Sequence, residues 1–189
     1  MTEKDSITYK LMVSARNIHY DNFNKWMIYY YVAVAAVFVA FNSYKCDDKI
    51  SLIIVCLGCF ISILWHLSCK GYYYWIKNWT HLINRLEKQI ENDDEKVYSI
   101  FAKCVKEKDD NLMNPIQSAN ISTSKVTLIL SFGVSYFWFY ILVYKLIAKY
   151  CCSQLCCCFE FIIALILTLI TIIVFGQFLK SDISHHKLV

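Results

Sequence analysis

The chain is 189 residues long, 58% hydrophobic and 16% aromatic, with a net charge of +4 and a mean hydropathy of +0.41. Soluble domains carry roughly 45 to 50% apolar residues, so the excess requires lipid as the solvent for part of the chain. The positive charge is dispersed between the apolar runs, and no glycine-rich phosphate loop or RNA-binding signature is present, so nucleic acid is not expected as a partner.

Residues 1–25 are mixed and acid-containing, unlike a cleavable leader. Within them Ile7, Leu11, Ser14 and Ile18 recur at steps of four, three and four, which predicts an amphipathic helix with a narrow apolar seam. Asp21, Asn22, Asn24 and Lys25 then mark the approach to a membrane surface. Residues 26–44 and 50–69 each approach the roughly 20 apolar positions that cross a hydrocarbon core of about 30 Å. Residues 26–69 are therefore expected as a membrane hairpin.

The stretch SCKGYYYWIKNW, residues 68–79, follows the second apolar run with no proline and a single glycine. Tyr72, Trp75, Ile76, Trp79, Leu82, Ile83, Leu86 and Ile90 continue at threes and fours, with Lys77, Arg85, Glu87 and Lys88 opposite. The second span is thus expected to leave the bilayer at Lys70 and run on as one helix to about Glu91, roughly 60 Å at 1.5 Å per residue. Tyr72 to Trp75 would form the interfacial aromatic belt. Tyr72, Trp75, Ile76, Trp79, Leu82 and Leu86 are the candidate residues for helix packing or oligomer contact. This wide seam is expected to face the seam on residues 1–25, with the remainder meeting Val97, Ile100, Phe101, Cys104 and Val105 or a second subunit. Asn114 and Pro115 break the chain, and Ser118, Ser122 or Thr123 is expected to cap the next helix.

Residues 70–123 therefore form a helical segment between two hairpins. The second hairpin, residues 124–179, contains the apolar runs 126–147 and 156–178, and residues 180–189 form a tail. Of 19 Lys and Arg, fifteen lie in the N-terminal segment, the central segment and the tail, against four in the two short connections. By the positive-inside rule both termini and the central segment are expected in the cytoplasm. The expected fold class is all-α: a multi-pass membrane protein with four transmembrane helices and cytoplasmic helical extensions, assembled as a homo-oligomer in contact with membrane lipid.

Several constellations have chemical readings beside structural ones. CCSQLCCC places Cys151, Cys152, Cys156, Cys157 and Cys158 in the outer connection, where they are structural thiols or a disulfide; adjacent cysteines diverge and no His lies near, against a metal site. Cys56 and Cys59 form a C-x-x-C in the second run. Four spans with cysteines in both outer regions resemble DsbB-like membrane thiol oxidoreductases, in which this pair would be linked to quinone. Against that, the only two arginines, Arg16 and Arg85, lie on the inner side, and the plain alternative is two small thiols packed between helices. Cys59, Ser62, His66 and Cys69 make a polar stripe, matched by Thr127, Ser131 and Ser135 and by Ala164, Thr168 and Thr171. Such stripes let helices pack closely and hydrogen-bond; the functional alternative is a pore lining, with Ser62, His66 and Glu160 as its candidate residues. Glu160, the one acid within an apolar run, would snorkel at the outer end or meet Lys149, or, in a symmetric ring, form a circle of carboxylates that attracts cations. His19 and His81 are solvated or pH-responsive. No Ser/His/Asp set, paired carboxylates or metalloprotease helix is present, so no enzyme activity and no cofactor are expected.

Three segments, HYDNFNKWMIYYYVAVAAVFVA (19–40), LWHLSCKGYYYWIKNWTHLINRLEK (64–88) and ISTSKVTLILSF (121–132), resemble the RipA family of bacterial inner-membrane proteins. The likeness covers roughly residues 9–145 and consists of distributed aromatic and polar positions without a catalytic motif. It implies a multi-pass inner-membrane protein that forms a homo-octamer and is associated with bacterial adaptation to an intracellular host niche. It transfers no functional residue, and CCSQLCCC is no part of it. The expected role is a membrane scaffold or a pore-like assembly, with an ion channel or the thiol oxidoreductase as alternatives.

Overall fold

The computed structural model of the protein describes residues 3–44, 46–88, 123–150 and 157–179. Four helices account for almost all of them: α1 (Glu3–Tyr44), α2 (Asp48–Glu87), α3 (Thr123–Tyr150) and α4 (Cys157–Phe178). No strand is present among the described residues. Each helix is long and apolar enough to cross a membrane, which makes the fold all-α and multi-pass. Ile90, the stretch 97–105, the break at Asn114 and Pro115, Ser118 and Ser122, the cysteines at 151, 152 and 156, and the tail 180–189 lie outside the described residues. Of Cys157 and Cys158 only the helical backbone is described.

Local sequence explains the helix limits. α1 contains neither glycine nor proline across its 42 residues, so nothing interrupts the i to i+4 ladder. Asp47 immediately precedes α2. Its carboxylate accepts from the backbone N–H of Lys49 and of Ile50, both at 3.0 Å, while its carbonyl accepts the first helical bond from Ser51 at 2.8 Å. This is an N-cap that satisfies two otherwise unpaired donors. α2 then runs through Gly71, where an added methyl would meet nothing within 4 Å. The helix continues through SCKGYYYWIKNW, as the absence of a breaker implies.

The chain divides into two compact units. The first comprises residues 1–28 and 70–126. In it α1 and the second half of α2 run antiparallel: Tyr9 packs on the fully buried Ile83, and Phe23 stacks on Tyr72 with ring centroids 3.7 Å apart. From α1, the residues turned to α2 are Tyr9, Met12, Val13 and Phe23, with His19 stacked on Tyr72 at 4.6 Å.

This pairing corrects one expectation. Ile7, Leu11 and Ile18 do not face α2; they are 54%, 65% and 58% exposed on the opposite side of α1. The reason is ring stacking: Tyr9, Phe23 and the His19 ring offer α2 flat surfaces that three aliphatic chains do not, and aromatic pairs add to area burial. Two faces with three-and-four spacing lie back to back on α1, and the aromatic one meets the aromatic seam of α2.

The second unit comprises residues 29–69 and 127–189. Its core gathers Val37 from α1, Val55, Cys59 and Ile63 from α2, Trp138, Phe139 and Val143 from α3, and Ala164 and Ile172 from α4. Trp138 is fully buried and sits beside Phe38 at 4.7 Å, Phe41 at 5.8 Å and Phe137 at 5.9 Å. It is admitted by Gly58: a methyl built there would lie 2.5 to 2.7 Å from three atoms of the indole. The glycine inside the C-x-x-C is therefore what lets α2 and α3 approach.

Candidate functional site

The polar groups singled out from the sequence lie inside the second unit. Ser62 is fully buried and donates to the Cys59 carbonyl on its own helix at 3.0 Å. One turn on, His66 is 6% exposed and its Nδ1 lies 3.0 Å from the Ser131 hydroxyl of α3. The Ser131 hydroxyl also lies 2.9 Å from the Leu128 carbonyl of its own helix, so it joins the imidazole of α2 to the backbone of α3. Ser135 donates to the Ser131 carbonyl at 2.9 Å, and the Phe132 ring lies 5.8 Å from the imidazole. The stripes of α2 and α3 thus meet each other within one protomer.

The stripe of α4 is used in the same manner. Ala164 and Thr168 are fully buried, and Thr168 and Thr171 each donate to the carbonyl four residues back at 2.7 Å, the local bond by which hydroxyl residues avoid an unpaired donor within a helix. Glu160 is 8% exposed. No ion pair joins it to Lys149 among the described residues; Lys145 pairs with Asp48, at 3.9 Å and with Asp48 almost wholly exposed, a geometry that contributes about 0 to 1 kcal/mol.

Cys56 is exposed and Cys59 buried, and both are free thiols. Together they border an apolar groove of about 240 Å³ whose other walls include Phe60 and Ile63 of α2, Phe139 of α3 and Phe175 of α4. Among the described residues, no group of three or more His, Cys, Asp and Glu is placed to hold a metal ion.

The six packing candidates on α2 divide by face. Tyr72 is buried, Trp75, Ile76, Trp79 and Leu86 are half-buried, and Leu82 is 37% exposed. Ile83, beside Leu82, takes the inner place. Glu87, expected on the charged face opposite the seam, is instead fully buried and accepts the Tyr9 hydroxyl at 2.8 Å. It lies one turn after the buried Ile83 on the same side of α2, and the phenol that receives it comes from 78 residues earlier in the chain. Burial and desolvation also act on the His19 and Tyr72 stack. They hold the imidazole below its usual pKa and push the phenol well above its own. His19 Nε2 and the Tyr72 hydroxyl are buried without a hydrogen-bond partner among the described residues.

Comparison with known families adds the decisive observation. The model of the octameric membrane protein family matches residues 7–147, which span most of α1, all of α2 and most of α3. The chain belongs to the octameric membrane protein family. Neither a curated protein nor a solved structure matches it. Membership agrees with the octameric assembly that the RipA-like segments implied, and it makes this a membrane protein of an oligomeric family. α4 lies beyond the matched residues.

Proposed function

We propose that the protein is a non-enzymatic scaffold of the bacterial inner membrane that closes into a homo-octameric ring, with both termini and the central segment in the cytoplasm. Family membership supports self-assembly, and the distribution of Lys and Arg supports the orientation. The observation that carries the scaffold reading is the burial of Ser62 and His66 within a single protomer, with His66 against Ser131 of α3. Polar side chains already engaged between helices of one subunit act as packing contacts and are withdrawn from a path along the ring axis. On this reading the RipA-like segments connect the assembly to adaptation to a host niche.

The test is ion flux through the purified protein reconstituted in liposomes, beside its native mass in lipid. A scaffold predicts an octamer without flux. Flux lost in His66→Ala or Glu160→Gln would overturn the scaffold and establish a pore.

The groove beside Cys56 and Cys59 favours a second reading, a quinone-linked thiol oxidoreductase, because both thiols border an apolar recess within the spans. Reduction of a benzoquinone by the dithiol form, abolished in Cys56→Ser, is its requirement; an inert dithiol dismisses it.

A further inference from the structure

In the first unit, the side of α2 turned away from α1 is cationic. Lys77, His81, Arg85 and Lys88 follow one another at steps of four, four and three, and all are exposed. Lys88 still belongs to the last turn, because its N–H donates to the Asn84 carbonyl at 3.3 Å. At about 100° per residue the four share one side of the helix, roughly opposite Tyr72 and Ile83, which meet α1. No acid interrupts them: Glu87, the one acid between residues 70 and 88, is buried and bonded to Tyr9. None of the four makes an ion pair with a described residue; the Lys77 ammonium lies over the Tyr73 ring, 4.8 Å from its centroid. Like charges three and four residues apart on a helix repel, so the stripe weakens its own helix and gains from anions laid along it.

We propose that this stripe is the docking surface for the acidic run of the same chain, Glu91, Asp93, Asp94 and Glu95, which lies outside the described residues. Charge selects the run: four of the 15 acids of the chain fall within these five positions, the densest anionic stretch of the sequence. Reach selects it as well. The run begins three residues after Lys88, and the seven residues 89–95 can extend at most about 25 Å. Along the α2 axis Arg85, His81 and Lys77 lie about 4.5, 10.5 and 16.5 Å from Lys88, all within that length. Lys70, about 27 Å away, lies beyond it, so the contact ends at Lys77.

Exposed ion pairs are individually weak, and what makes the set effective is the tether: a short linker holds the carboxylates near the stripe at an effective concentration of about millimolar. The contact lies within one protomer and stands whether or not the ring forms. Both partners being charged and exposed to water, it is weakened by salt.

The experiment uses the full chain, mixed from unlabelled and nitrogen-15-labelled copies, in nanodiscs containing phosphatidylserine. A zero-length carbodiimide joins carboxylates to amines in contact, and peptide mass spectrometry reads the links. Lys88 is too near the run in sequence to be informative, so Lys77 is the reporter. The expected result is Lys77 joined to Asp93, Asp94 or Glu95 with both peptides from one isotopic copy, falling several-fold at high salt. Lys77→Glu should abolish the link, and Asp93→Lys with Asp94→Lys in that background should restore it with the partners reversed. Absence of any link from Lys77 to the run overturns the proposal. So does a link that joins the two isotopes, which assigns the stripe to a second copy, or one to phosphatidylserine or to another protein in place of the run.

Discussion

Gly58→Ala offers a test of the packing at the centre of the second unit. The new methyl would lie 2.5, 2.7 and 2.7 Å from Cδ2, Cε2 and Cε3 of Trp138, where carbon atoms ordinarily rest at about 3.5 to 4.0 Å. About 1 Å of separation has to be found. The indole cannot supply it by turning, because it is fully buried and flanked by Phe38, Phe41 and Phe137. Overpacking of this kind costs about 1 to 3 kcal/mol. Alanine's better helix propensity, up to about 1 kcal/mol in water, offsets little of this, because in a bilayer the backbone stays helical even when helices separate. The expected outcome is a loss of about 1 to 3 kcal/mol in reversible unfolding by SDS in mixed micelles, followed by tryptophan fluorescence. Gly71→Ala, with nothing within 4 Å, is the matched control and should be neutral or slightly stabilising. Trp138→Leu should recover much of the loss in the Gly58→Ala background. Equal stability of the Gly58 and Gly71 variants would refute the close-approach argument.

Tyr9→Phe removes the hydroxyl that Glu87 accepts at 2.8 Å in a fully buried position, so the same unfolding assay should register a loss of about 1 to 3 kcal/mol, the range for removing one partner of a buried hydrogen bond. Asp47→Ala deletes both N-cap bonds of α2 and should cost about 0.5 to 2 kcal/mol, with Asp47→Asn retaining most of the stability. His19 has a depressed pKa in the folded state from burial. The unfolded chain therefore takes up its proton first, and its contribution to stability is complete above about pH 6.5. That contribution declines as the pH falls through 6.5 toward the folded value, and His19→Phe should flatten this part of the profile measured by thermal unfolding in detergent. A profile equally steep in His19→Phe would assign the pH dependence to other groups.

The four helices and the continuity of α2 past Gly71 could be read from apolar run lengths and the absence of breakers, because both are local properties of the chain. The α2 seam was readable for the same reason: Tyr72, Ile76, Trp79 and Leu86 follow the helical period. What spacing does not state is the partner. On α1 two faces share that period, and the aliphatic one, Ile7, Leu11 and Ile18, was paired with α2 when the aromatic one meets it. A scale that ranks Ile and Leu above Tyr and His assigns the inner face by transfer energy and omits ring stacking. His66 was conspicuous as an ionisable group within a span, but Ser131 became its partner only once α2 and α3 were placed together. Gly58 carried no local signal at all, since its meaning depends on Trp138, eighty residues later in the chain.

The Tyr9 and Glu87 pair also bears on alignment. Two helices that bury side chains at recurrent threes and fours can slide past each other by one turn and still cover much the same apolar surface. A buried carboxyl group changes that balance: a slip of about 5.4 Å would carry Glu87 away from the Tyr9 phenol, and a hydrogen bond broken in a buried place costs more than one broken at the surface. The pair acts as a fixed mark on an otherwise repetitive ruler, in the way one buried polar residue sets register in paired helices. The number of residues in α1 between Tyr9 and Phe23 is then a counted length. Deleting a single residue there would rotate every later side chain by about 100° about the helix axis, breaking either the phenol contact at one end or the Phe23 stack on Tyr72 at the other.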